Sequence, residues 1–273
     1  MNMYDRDALV RERYGEASVE ANLSAVLDPL FLQHRSVRAY RDTPLPEGTI
    51  ESLVAAAQSA STSSNLQAWS VVSVESAETR SRLSELAGGQ KHVASAPVQL
   101  VWLADLSRLH QAAADQGISA EGVDYLEVFL VSVIDAAIAA QSAALAAESL
   151  DLGLVYIGGL RNHPEEVAEL LGLPDRCFAV FGMCIGYPDE TKPAHIKPRL
   201  PQAAVWHREK YDAAGLAEHV EAYDLESLRF YQSQNMDRKQ WSIHSGNRVR
   251  GPESLNGRDR LAEALNRLGF PLR

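Results

Sequence analysis

The sequence predicts an α+β fold built on one central sheet. Three observations lead there. Segments with helical periodicity outnumber those that read as strands. The strands are separated by long segments. Of 273 residues, 46% are hydrophobic and 23% charged, enough apolar side chain for a sizeable core, and no internal repeat or low-complexity linker divides the chain.

Taken in order, residues up to about Leu32 read as a polar helical lead-in with Leu9, Val10, Leu23, Val26 and Leu27 as its apolar positions. Its charged start lacks the apolar stretch of a secretory signal. The basic run His34-Arg35-Ser36-Val37-Arg38 leads into a Pro-punctuated loop, after which Thr49 is placed to cap a helix through Ala60, with Leu53, Val54 and Ala57 on one face. Ser59–Asn65 is too short and polar for a core element and reads as a loop. Trp69–Val74 has the β-branched density of a strand, Ala77–Leu86 is helical, Gly88–His92 is a loop and Val98–Leu103 a second strand. Asp105–Gly122 shows no clear periodicity and reads as a mobile connection. Tyr125–Leu150 then predicts a long apolar helix, about 39 Å at ~1.5 Å per residue. Glu127, Asp135, Gln141 and Glu148 interrupt it, so a helix buried on most sides fits better than a membrane span. Its surplus apolar face suits packing against a symmetry mate. Leu154–Ile157 is a short strand, Glu165–Leu171 a helix and Ala179–Ile185 a third buried strand. An amphipathic helix over about Asp212–Gln232 and a last one near Asp259–Leu268 complete the list.

Composition removes several function classes. Asp plus Glu number 36 against 26 Lys plus Arg, a formal net charge of -10, which disfavours sequence-independent nucleic-acid binding. Two cysteines, Cys177 and Cys184, cannot make a secreted disulfide framework, so a cytoplasmic location is expected. No G-x-G-x-x-G, P-loop, H-E-x-x-H or G-x-S-x-G pattern is present, and no metal site is expected.

Four features carry chemistry. His34 to Arg38 gathers several donors and two guanidiniums, planar groups suited to phosphate oxygens or a delocalised anion. Ser61-Thr62-Ser63-Ser64-Asn65 is a run of small hydrogen-bonding side chains beside Gln67 and Trp69. Tyr156-Ile157-Gly158-Gly159-Leu160-Arg161 lies at a strand end, with two glycines that allow positive φ and close approach of a flat ligand. Lys197-Pro198-Arg199 presents two cations on a stiffened backbone. Each has a bland alternative, a solvated face, a polar loop, a turn or a linker. Four cations on an acidic chain nevertheless suit an anionic partner, such as a phosphate joined to an aromatic system.

With these motifs in order, the sequence resembles the nitroreductase superfamily, specifically the group A oxygen-insensitive nitroreductases and flavin reductase P. The resemblance rests on HRSVR (His34–Arg38), STSSNLQ (Ser61–Gln67), GGQKHV (Gly88–Val93), AAESLDLGLVYIGGLRN (Ala146–Asn162) and KPRLP (Lys197–Pro201), and runs from about Phe31 to the C-terminal RLGF. It implies a nitroreductase-like fold with a mainly antiparallel sheet flanked by helices and the long apolar helix at a homodimer interface. Residues 1–30 are then a helical extension, expected to wrap a partner subunit, and 31–273 the FMN-binding domain.

The resemblance further implies an FMN-dependent NAD(P)H oxidoreductase that works by a ping-pong mechanism on nitroaromatics, quinones or free flavin. Chemistry is carried by FMN and not by a catalytic side chain. The cofactor-binding set it implies is His34, Arg35, Ser36, Arg38, Thr62 (donating its hydroxyl), Gln90, Tyr156, Ile157, Gly158, Gly159, Lys197 and Arg199. Family members that prefer NADPH carry an Arg where this chain has Gln232, with Arg229, Arg238 or Lys239 as substitutes, so NADH and NADPH both stand as reductant. The alternatives are a flavin reductase serving a partner and a flavin-binding sensor or carrier without turnover.

Overall fold

The computed structural model describes residues 5–15 and 27–273, so Leu23 and Val26 of the lead-in lie outside the described residues. Contacts group the chain into two units. A sheet unit comprises Ser36–Ala194 with Asn256–Arg273, and a helical unit comprises Met1–Arg35 with His195–Leu255.

The sheet unit is built on four antiparallel strands in the order β1-β2-β4-β3. These are β1 (Trp69–Val74), β2 (Val98–Asp105), β3 (Gly153–Ile157) and β4 (Cys177–Gly186). The central strand β2 is buried at every residue because helices cover both faces. On one face Leu53 and Ala57 of α3 (Thr49–Gln58) and the alanines of α7 (Leu126–Ser149) pack on Val98, Leu100 and Trp102. On the other, α4 (Ala77–Leu86), α5 (Lys91–Ser95) and α8 (Pro164–Leu171) bring Leu83, Val93 and Val167 to Val101, Leu103 and Ile157. A third cluster joins Phe129 and Ala136 of α7 to Phe178, Val180, Leu265 and Phe270, the last two from the segment around α11 (Leu261–Arg267). In between, α6 spans Ser107–Asp115.

The long helix differs from expectation in how it is buried. Small residues at Ala136, Ala139, Ala140, Ala143, Ala144 and Ala147 let it lie close against the sheet with no exposure. Leu126, Leu130, Ile134 and Ile138, one every fourth residue, form a stripe that is 41–54% exposed. It is therefore covered on one face and bare on an aliphatic one.

The helical unit contains α1 (Arg6–Tyr14), α2 (Leu27–Leu32), α9 (Leu216–Ser233) and α10 (Trp241–Arg248). Asp5 caps α1 by accepting from the Ala8 amide at 3.0 Å.

Several boundaries move for identifiable reasons. Gly48, in the left-handed region, precedes α3, so Thr49 is its first helical residue and makes no side-chain cap. The expected loop at Gly88–His92 ends early because Lys91 already begins α5. The expected mobile connection contains α6, whose start is tied by the Asp105 carboxylate accepting from the Ser107 amide (3.0 Å) and hydroxyl (2.6 Å). Helix α6 is amphipathic but buries no residue fully; its periodicity is there to be read, within a stretch whose polar and glycine residues suggest a loop. Helix α10, unforeseen from sequence, takes its cap from Asp224 of α9, which accepts from the Ser242 amide at 2.8 Å and from its hydroxyl.

Candidate functional site

In the sheet unit, Ser36–Arg38 runs beside β3: Val37 donates its amide to the Leu154 carbonyl at 2.9 Å, and Ser36 forms a parallel bridge to Leu154. Extended backbone alternates sides, so buried Val37 packs on Gly153 while Ser36 and Arg38 face outward. A side chain at Gly153 would place its Cβ 2.6 Å from Val37, so the glycine is what admits this strand-like docking. The Arg38 guanidinium contacts only the Ser36 carbonyl at 3.4 Å and has no carboxylate partner among the described residues. Burial, and after it the charge of Arg38, hold His92 below the usual histidine range.

The Gly158–Gly159 pair does not serve as expected. Neither residue has a positive φ. A Cβ on Gly159 would sit 2.6 Å from both the Ala87 carbonyl oxygen and the Gln90 amide nitrogen. Its bareness therefore makes room for the turn between α4 and α5 and for Gln90, which donates to the Ala87 carbonyl at 2.7 Å. At Gly158 a Cβ would meet only the tip of Arg161, at 3.2 Å, a side chain and not backbone. Ile157 commits its side chain to the core. Tyr156 turns the other way, edge-on to Phe181 and donating to Gln141 of α7 at 3.2 Å. Burial, then the nearby Glu148, push its hydroxyl well above the usual phenol range.

Thr62 stands on the α7 side as well. Asp135 of α7, only 1% exposed, accepts from the Thr62 hydroxyl (2.5 Å), the Ser63 amide (3.1 Å) and the Ala68 amide (3.2 Å). The Thr62 oxygen in turn accepts from the Gln67 amide at 2.8 Å. A threonine hydroxyl has one hydrogen. Here Asp135 takes it, where donation to a ligand was expected, and the Thr62 oxygen keeps acceptor capacity. Ser64, Asn65 and Gln67 all have positive φ, so one buried carboxylate holds both ends of a strained loop.

Arg161, the last residue of the strand-end motif, has a neighbour that sequence reasoning missed, Arg258. Arg161 donates to the Val180 carbonyl, and its neighbour Asn162 accepts from Arg258 Nε at 2.8 Å. Burial, and after it the charge of Arg258, pull the Arg161 guanidinium below its usual range. The Arg161 guanidinium is thus beside Gly158 and under the positive field of Arg258. Arg258 comes from the returning C-terminal segment, nearly a hundred residues away, and no local motif signals it.

The helical unit holds the other cations. Along the KPRLP segment Ile196 and Pro198 are buried while Lys197 and Arg199 are exposed, the alternation of an extended chain. The Arg199 guanidinium donates to the Lys197 and Pro198 carbonyls, at 2.8 and 3.2 Å, that of Arg35 to the Gln33 carbonyl at 2.9 Å, and Lys197 lies over the Tyr231 ring at 5.5 Å. None of the three has a carboxylate partner among the described residues. His34 offers its carbonyl to Arg13. Lys197 and Arg199 line a cavity of about 570 Å³ together with Tyr231, Trp241, His244 and Arg248. Gln232 lies in the last turn of α9, Arg229 is paired with Glu226, and Arg238 and Lys239 lie between α9 and α10. No cluster able to hold a metal occurs among the described residues.

The sequence profile described as the nitroreductase family matches residues 32–187, and that of the family's C-terminal domain matches 197–273. The chain belongs to the nitroreductase family. It is 38% identical over 240 residues to FMN reductase [NAD(P)H] of Bacillus subtilis, covering 87% of this chain and 90% of that one. It is 37% identical over 245 residues to NADPH-flavin oxidoreductase of Vibrio harveyi, covering 89% and 97%. Among solved structures, NADPH:FMN oxidoreductase from Vibrio harveyi complexed with NAD+ superposes with a TM-score of 0.79 at 36% identity, over 89% of this chain and 98% of that one. The nitroreductase-like fold expected from the motifs is thus the fold observed, with a sheet antiparallel throughout.

Proposed function

We propose that this member of the nitroreductase family is an FMN-dependent NAD(P)H oxidoreductase that works as a cytoplasmic homodimer. The observation that carries the reading is a set of cations with no carboxylate partner among the described residues, Arg35, Arg38, Lys197 and Arg199, on a chain of net charge -10. A guanidinium or ammonium kept from the abundant carboxylates, and turned outward on extended backbone, suits an anion that arrives from solution. The phosphate and the electron-rich ring of FMN are such an anion, so the residues present fit the cofactor.

When bound, FMN supplies a ring that takes hydride from reduced nicotinamide and returns two electrons, in ping-pong order, to a nitroaromatic, a quinone or free flavin. The chain's own work is to hold and tune. His34, Arg35, Ser36, Arg38, Lys197 and Arg199 bind the anionic parts. Arg161 and Arg258 add positive field beside Gly158, where negative charge is then stabilised by groups already in place. Gln90, the backbone of Ile157, Gly158 and Gly159, and Tyr156 border the ring. The Tyr156 hydroxyl stays protonated at neutral pH and orients Gln141. Thr62 offers an acceptor on a loop held by Asp135.

The homodimer follows from two features. The aliphatic stripe Leu126, Leu130, Ile134 and Ile138 is a continuous apolar surface of the kind that marks an interface. Thr62 stands on the α7 side of the sheet and Gln90 on the opposite side, so two copies meeting at α7 would complete what one chain divides.

The test is an anaerobic stopped-flow experiment on the FMN-loaded protein mixed separately with NADH and NADPH. Fast bleaching of the flavin by one of them, reversed by a nitroaromatic or quinone, is the expected result and decides what Gln232 means for the reductant. Slow bleaching by both refutes the oxidoreductase in favour of a flavin carrier.

A further inference from the structure

We propose that Arg13, in the N-terminal helix α1, is a positioning residue for the cofactor's anion site. Its buried guanidinium ties the two cation-bearing segments, at His34 and at Lys197, to a common frame. The inference rests on the FMN reading above, but one arm of its test does not.

Arg13 is only 4% exposed. Its Nη2 donates to the Leu32 carbonyl at 3.1 Å and to the His34 carbonyl, and its Nη1 to the Lys197 carbonyl at 3.2 Å. The Arg13 carbonyl accepts in return from the Arg199 amide at 2.9 Å. One residue thus touches the main chain at 32, 34, 197 and 199, all within the helical unit. Tyr223 of α9 fixes the same segment by donating to the Pro198 carbonyl at 2.8 Å.

A buried cation is costly unless its donors are satisfied. A planar fork with five donors can bridge carbonyls from separate stretches of chain through two nitrogens set apart, whereas the three donors of an ammonium radiate from a single nitrogen and span less. The side chains on those tie points are His34, Lys197 and Arg199, with Arg35 adjacent. Their spacing is therefore set by Arg13 before any anion arrives, which lowers the ordering cost of binding. Helix α1 lies ahead of the region matched by the family profile, which begins at residue 32. The clamp is thus supplied from outside the matched region. It also gives the N-terminal segment a task on its own chain, where a wrap around a partner subunit was expected.

The experiment compares wild type, Arg13→Ala, Arg13→Lys, Lys197→Ala and Arg13→Ala/Lys197→Ala as full-length apoproteins. FMN affinity is read by quenching of its fluorescence. Limited trypsin digestion without FMN reads the cleavage rate at the Arg199–Leu200 bond. Arg13→Ala is expected to raise the FMN Kd about 10–100-fold, the loss of two or three hydrogen bonds to a charged group acting through others. Arg13→Lys is expected to recover less than half of that loss on a logarithmic scale. The double variant is expected to bind more tightly than the product of the single effects predicts, because Arg13 acts partly through Lys197. Cleavage at Arg199–Leu200 is expected to accelerate about tenfold in Arg13→Ala as the segment opens more often.

An FMN Kd within about twofold of wild type in Arg13→Ala, full recovery by lysine, full additivity or an unchanged cleavage rate would each overturn the clamp. If wild type itself fails to bind FMN, the flavin reading fails and the trypsin rates alone decide the clamp. Arg13→Lys carries both readouts if the alanine variant does not fold.

Discussion

Two adjacent glycines offer a sharp contrast. Gly159→Ala would place a methyl 2.6 Å from the Ala87 carbonyl oxygen, which is backbone, and 2.6 Å from Gln90 Nε2. Relief requires moving the turn between α4 and α5, an overpacking cost of ~1–3 kcal/mol. Swinging Gln90 aside gives up its 2.7 Å bond to Ala87, costing ~1 kcal/mol more. The reduced freedom of the unfolded chain returns ~0.4–1 kcal/mol. The net is a destabilisation of ~1–3 kcal/mol. At Gly158 the methyl meets only the end of Arg161, at 3.2 Å, which needs to give by only a few tenths of an ångström and can keep its bond to the Val180 carbonyl. The same chain-entropy gain then leaves Gly158→Ala within ~0.5 kcal/mol of wild type. Urea unfolding of both apoproteins measures the difference, with equal m-values required before midpoints are compared. Equal midpoint shifts for the two variants would refute the argument that Gly159 is fixed by packing and Gly158 is not.

Other predictions concern the interface, the cations and acid stability. Ile134→Glu should shift the protein toward monomer in sedimentation velocity, raising the dimer dissociation constant more than ~100-fold, since the change enters both copies and each buried aliphatic is worth ~1.5–3 kcal/mol. Arg38→Ala and Lys197→Ala should each weaken FMN retention ~10–100-fold, as expected for a lost charge-assisted contact, with dialysis followed by flavin absorbance as the assay. Burial raises the Asp105 carboxyl, but hydrogen bonds from Ser107, Ser70 and Arg108 outweigh it and hold it below the usual carboxylate range. A depressed carboxylate contributes stability that is present above its unfolded pKa of ~3.9 and is lost as pH falls through its folded value. Asp105→Asn should therefore be less stable at pH 7 and should lose less on acidification below pH ~4 than wild type does, as read by urea midpoints across that range.

Much of the fold was legible because its strands are written in short apolar runs. Trp69–Val74 and Ala77–Leu86 fall where periodicity put them. What escaped was held by partners distant in sequence. Helix α10 is capped by Asp224, eighteen residues upstream, and Arg258 meets Asn162 from the other end of the chain. The site motifs were legible by residue type, while the job of each member was not. Thr62 is an acceptor because Asp135 takes its hydrogen, and Gly159 is bare for the sake of Ala87 and Gln90. Both facts depend on contacts that no spacing rule contains. The bare stripe on α7 was anticipated only as a surplus of apolar surface. Its separation from the alanine face needs the sheet to say which side is inner.

The way the chain visits its two units sets the order in which it can fold during synthesis. The sheet unit needs Leu265 and Phe270 to close its third cluster, and the start of α7 gives its Leu126 amide to the Arg273 carbonyl. Between residue 194 and those late arrivals the ribosome must make the whole of 195–255. At ~5–20 residues per second that interval lasts ~3–12 seconds. Throughout it Phe129 and Phe178 lack the ring of Phe270 that covers them, open to chaperones or to a neighbouring nascent chain on the same messenger. Rare codons within 195–255 would lengthen that window, and so alter the yield of native protein without changing one amino acid.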